Sequence, residues 1–239
     1  MNRIQSLLED QARAHATPAV ASARAGSAVS QLATRCAYFA PLHYESNYAY
    51  PLLVWLPGAS DDERQLSRIM PHVSMRNFVA VAPRRTRSAS SQKLAVSESL
   101  EVLQVAERQV FEAIELAQRR FRVSPQRIFL AGMAEGGSAA LRVGLMNPQR
   151  FAGAASLGGP FPDGNRPLRL LDEARSLPLL LATGRASQRY DETRVCHDLR
   201  LLHTAGMSVT LRQYTCGDHL TTQMLADLNR WMMGVICPS

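Results

Sequence analysis

The chain has 239 residues, 46% hydrophobic and 20% charged, a balance that suits one sizeable globular core and excludes a disordered chain or two full domains. Its formal charge of +7 comes almost wholly from arginine, since Lys93 is the only lysine. The one compact basic run, Arg84, Arg85 and Arg87 beside Ser88 to Ser91, reads as a solvated loop or the mouth of an anion site and is too small to specify a nucleic-acid face.

The first segment, residues 1–34, pairs an amphipathic start (Ile4, Leu7, Leu8 with Glu9 and Asp10) with an Ala/Ser/Thr-rich stretch. It reads as a short helix and a loose connector, lacks the apolar core of a signal peptide, and is a candidate arm for a protein partner. The fold proper, residues 35–239, opens with two strands, Cys36 to His43 and Pro51 to Leu56, around the turn Glu45-Ser46-Asn47. Asp61 to Met75 has helical spacing, with Pro71 expected to kink or end it. Phe78 to Ala82 is a short apolar run suited to a strand buried on both faces. Leu94 to Phe121 is a long amphipathic helix.

Ser124-Pro125 is expected to reset the chain before a buried strand at Arg127 to Ala131 and a helix at Glu135 to Met146. Strand Ala152 to Leu157, a short helix through Arg175, strand Leu179 to Thr183, helix Glu192 to Ala205, strand Ser208 to Tyr214 and helix Thr221 to Met233 complete the alternation. Strands alternating with helices of this length require crossovers, hence an α/β fold with a mainly parallel sheet covered on both faces. Ligand sites in such sheets lie off the carboxyl ends of the strands.

At one such strand end stands Gly132-Met133-Ala134-Glu135-Gly136-Gly137. The small residues flanking position 134 allow a sharp strand-to-helix turn, and the helix start leaves the amide of Glu135 free. Two further blocks lie at strand ends, Leu53 to Glu63 and Cys216-Gly217-Asp218-His219. In this order the three blocks resemble the carboxylesterase/phospholipase branch of the α/β-hydrolase superfamily, and the resemblance spans roughly residues 35 to 235. It implies a nucleophile elbow at 132–136, an oxyanion hole from the amides of Ala59 and Glu135, and a catalytic histidine at His219.

The sequence departs from that pattern where the chemistry would lie. Ala134 stands at the nucleophile position, and a methyl group cannot form an acyl-enzyme. Ser187 stands where the resemblance places the acid, so no carboxylate from that position would orient the imidazole. Pro57 and Ser60 replace His and Gly of the oxyanion loop, while Gly58 remains and the Ala59 amide is expected to point inward. Glu135 is odd beside an oxyanion hole, because its charge would oppose an oxyanion if it pointed inward.

The other candidates each have two readings. His219 is a leftover loop histidine bonded to Asp218 or the backbone, or a base. Asp191 is a helix cap or a substitute acid, and Ser138 is a packing residue inside the helix or a displaced nucleophile. His72, His197 and His203 form no metal-binding spacing, and Cys36, Cys196, Cys216 and Cys237 form no CxxC pair. No phosphate cradle or dinucleotide fingerprint is present, so neither a cofactor nor a metal is expected. No stretch approaches the roughly 20 apolar residues of a membrane span, and a cytoplasmic protein is expected.

The leading expectation is a non-catalytic esterase-like protein whose remaining pocket, lined by Ala59, Glu135 and His219, takes a small ester-like or anionic ligand or a protein partner. One alternative is a hydrolase working without the elbow serine, through His219 with Glu135 or Asp191, or through Ser138. Another is a structural or regulatory subunit using residues 1–34.

Overall fold

Apolar residues alternate along β2 (Tyr50–Leu56) so that Leu52, Val54 and Leu56 enter one hydrophobic cluster while Leu53 and Trp55 enter another. The period of two therefore gives the strand a core on each face. The same division runs through β3 (Val79–Pro83), β4 (Val123–Met133), β5 (Gly153–Leu157) and β6 (Leu179–Gly184). These strands come from a computed structural model that describes residues 35–84, 100–163 and 171–238. The expected N-terminal helix and connector, Arg85 to Ser91, and the start of the long helix before Leu100 lie outside the described residues.

Together with β1 (Cys36–Phe39) and β7 (Val209–Tyr214) these strands form a seven-stranded sheet in the order β1-β3-β2-β4-β5-β6-β7. Only β1 is antiparallel. Each parallel pair requires a crossover, and the helices provide it. Helices α2 (Leu100–Arg120), α3 (Glu135–Met146), α4 (Leu171–Ala174) and α5 (Glu192–Thr204) contribute Val110, Leu141, Ala174 and Leu202 to one cluster. On the opposite face α1 (Gln65–Val73) and α6 (Thr222–Ile236) contribute Leu66, Met70, Leu225 and Leu228. Buried Trp55 donates from Nε1 to Gln65 Oε1 at 2.7 Å, which fixes α1 against β2.

Three expectations change. The first strand ends at Phe39 rather than His43, because the chain turns off the sheet at Ala40-Pro41 and His43 takes φ 58°. Helix α1 is shorter than 61–75 and runs two residues past Pro71 to Val73, where Ser74 N donates back to Met70 O. Ser124-Pro125 does not separate helix from strand; it lies within β4. The pairing passes from Tyr50↔Val123 to Leu52↔Ile128, an advance of two residues on β2 against five on β4. The surplus forms a bulge, which accommodates a proline that has no N–H for the ladder.

A close backbone contact joins α3 to β2. A Cβ on Gly136 would lie 2.1 Å from the Leu56 carbonyl oxygen, and one on Gly132 would lie 2.6 Å from the same atom. Both obstacles are backbone, so neither can rotate away. Gly136→Ala is therefore expected to destabilise by about 3 kcal/mol, the upper part of the overpacking range. A lowered urea midpoint at unchanged slope is the signature; an unaltered midpoint contradicts the contact.

Candidate functional site

The sheet's carboxyl edge brings three loops together around the elbow. Ala134 links β4 to α3 with φ 52° and ψ −120°, a left-handed conformation costly for a residue with a Cβ. Tertiary contacts hold it there. Its N–H donates to Leu157 O at 2.9 Å, its carbonyl accepts from Ser138 N at 3.1 Å, and a Cβ on neighbouring Gly159 would lie 2.0 Å from that carbonyl. The Ala134 side chain is buried, at 3% exposure.

Beside the elbow runs the loop after β2. A Cβ built on Gly58 would lie 3.8 Å from both the Ala134 Cβ and Glu135 Oε2, so the loop backbone faces the elbow directly. The Ala59 amide donates to Glu135 Oε2 at 3.2 Å. Arg189 Nη1 reaches the same carboxylate from the loop after β6, at 3.2 Å from Oε1 and 3.3 Å from Oε2. Both side chains of this ion pair are half exposed.

The third loop follows β7. Asp218 accepts from Ser187 Oγ at 2.5 Å, from Gln188 N at 3.2 Å and from Arg189 N at 3.3 Å. These bonds, the Ser187 hydroxyl foremost, hold its carboxyl below the usual 3.8. Ser187 is buried and also accepts from Tyr190 N at 2.9 Å, so its hydroxyl joins the two loops. His219 is exposed and makes no hydrogen bond or ion pair with the described residues.

A mostly parallel seven-stranded sheet in this order, covered by helices on both faces, resembles that of several solved structures. SOBER1 from Arabidopsis thaliana superposes with a TM-score of 0.66 at 18% identity over 79% of this chain and 100% of that chain. A Bacillus cereus carboxylesterase gives 0.66 at 16% identity over 86% and 96% of the two chains. S-formylglutathione hydrolase (FrmB) from Staphylococcus aureus gives 0.61 at 18% over 77% and 81%. The chain has the α/β-hydrolase fold. No protein-family model matches it.

Within this α/β-hydrolase fold each expected site residue has a place. Ala134 lies at the elbow, and the Ala59 amide points inward, but the Glu135 carboxylate receives it. Asp218 does not pair with His219; it turns into the loop of Ser187 from the neighbouring strand end. Asp191 caps α5, accepting from Arg194 N at 2.8 Å. Ser138 is the fourth residue of α3 and donates to Pro160 O at 2.7 Å. A cleft of about 350 Å³ opens further along the edge, lined in part by Arg185, Tyr190, Glu192 and Gln213, and includes none of Ala59, Ala134, Glu135 or His219.

Sequence reasoning missed Arg189 and the turn of Asp218. Two clues stood in the chain. Arg189 follows Ser187 by two residues, and Asp218 precedes His219. Neither position belongs to a periodic element, so no spacing argument pointed to a partner.

Removing the Ser187 hydroxyl strands the buried Tyr190 N–H and takes a donor from Asp218. Ser187→Ala is expected to cost about 2 kcal/mol at pH 7. The Asp218 share has a defined pH dependence, because its folded pKa lies below its unfolded value. That share is complete above about 3.8 and is lost as pH falls through the lower folded value. The stability gap between wild type and Ser187→Ala should therefore narrow in acid without closing. A gap that widens below pH 4 contradicts this reading.

Proposed function

We propose that this is a non-catalytic α/β-hydrolase-fold protein, retained to bind a small ester-like or anionic ligand or a protein partner at the elbow edge. The observation that carries the reading is the buried methyl of Ala134 at a backbone geometry that elsewhere serves to present a nucleophile. The backbone strain remains while the side chain that would use it is absent.

The substitutes are occupied elsewhere. Ser138 is engaged within its helix packing, Ser187 holds two loops together, and Asp191 caps a helix. Glu135 pairs with Arg189 and the Ala59 amide, which leaves His219 without a described carboxylate to orient it for activating water. A triad acts as a unit, so absence of the nucleophile relaxes selection on its acid and on the oxyanion loop. Ser187, Pro57 and Ser60 agree with that relaxation.

The test compares the native chain with Ala134→Ser, using short-chain ester turnover and a fluorophosphonate probe, whose phosphorus is attacked by a serine oxygen as fluoride leaves. The native protein is expected to show neither turnover nor labelling. Stoichiometric labelling of the native chain, mapped to a serine at this edge, would overturn the reading.

A further inference from the structure

Glu135 is the first residue of α3, one position past the elbow, where a backbone amide would ordinarily be the whole contribution. Its side chain instead folds across the elbow. The carboxylate sits between two donors from separate loops, the Ala59 amide at 3.2 Å and Arg189 Nη1 at 3.2 Å, and within 3.8 Å of the Gly58 Cβ position that also faces the Ala134 methyl. Two carboxylate oxygens thus occupy the ground that an external carboxylate or oxyanion would need.

We propose that Glu135 is a built-in ligand: the Ala59 amide and Arg189 form a receptor for a carboxylate, and Glu135 fills it as an autoinhibitory latch. The proposal deepens the binding reading of the same site, since it names the ligand chemistry and the group that competes with it. Charge supports it. The latch balances Arg189 with Glu135, and its opening leaves a guanidinium and a backbone donor facing one point.

The latch is built to open. An exposed ion pair is worth little and is screened within about 8 Å at physiological salt. What keeps it closed is its intramolecular character, because a tethered carboxylate competes at an effective concentration on the order of millimolar. An external carboxylate therefore binds with an apparent affinity reduced by the fraction of molecules in which Glu135 has swung away.

The experiment titrates sodium acetate, at constant ionic strength with chloride as balance, into the full-length wild type, Glu135→Ala, and Glu135→Ala combined with Arg189→Met. The Ala59 amide resonance and the melting temperature are followed together. Acetate should move the Ala59 resonance of Glu135→Ala saturably and raise its melting temperature. Its affinity should exceed that of wild type by about two- to sixfold, the range an exposed ion pair allows, and the Arg189→Met combination should lose most of that gain. Glu135→Gln, which keeps the side-chain volume, should respond in the same direction and guards against a folding defect in the alanine variant. Equal acetate responses in wild type and both Glu135 variants, or an unresponsive Ala59 amide, would overturn the latch. Neither result bears on ester turnover by the native chain, so failure here and failure of the non-catalytic reading are distinguishable.

Discussion

The approach of α3 to β2 is the constraint on which the carboxyl edge depends. With no side chain at Gly132 or Gly136, the start of the helix settles onto the Leu56 carbonyl, and the chain can pass from β4 into α3 only through a turn as sharp as that at Ala134. The turn sets Ala134 at the junction of β4 and α3, facing the loop after β2. Strain of this kind costs of order 1–3 kcal/mol and persists only where surrounding contacts over-determine it. Here those contacts come from Leu157 at the end of β5, Gly159 just after it, and Ser138 in the first turn of α3.

From that elbow a polar strap runs across the strand ends. Ala59 donates to Glu135, Glu135 pairs with Arg189, the Arg189 amide donates to Asp218, and Asp218 accepts from Ser187. The strap joins the elbow after β4 to the loops after β2, β6 and β7. Its links differ in character. The Ser187 link is buried at one end and fixes loop geometry, whereas the Glu135–Arg189 link is half exposed and exchangeable. A rigid base under a weak latch is a geometry suited to admitting and excluding a ligand, and needs no covalent chemistry.

Hydrogen bonds between two loops explain how the charge of Asp218 is satisfied at this edge. A buried hydroxyl at position 187 requires an acceptor, and Asp218 supplies one from the next loop. Two loop amides complete the coordination of that carboxylate, so its charge is compensated without a histidine. His219, beside it, is exposed. Asp218, turned toward the β6 loop, is committed to that hydroxyl and those amide donors.

Much of this was legible in the chain. Periodicity gave the order of strands and helices, and the short apolar runs at β3 and β4 implied burial, because a strand covered by helices on each side has no solvent face to mark with polar residues. The glycines around position 134 marked the elbow, and the absence of a nucleophile there is a fact of covalent structure. The bulge at Pro125 and the early end of β1 were not legible, since both depend on register with neighbouring strands. Nor was the strap: Glu135 and Arg189 are 54 positions apart, and Ser187 and Asp218 are 31 apart. Local sequence determines which elements form and which faces they bury. Tertiary structure alone decided which donor meets which carboxylate, because that depends on strand order and loop path, through which the sheet brings strand ends distant in sequence to one edge.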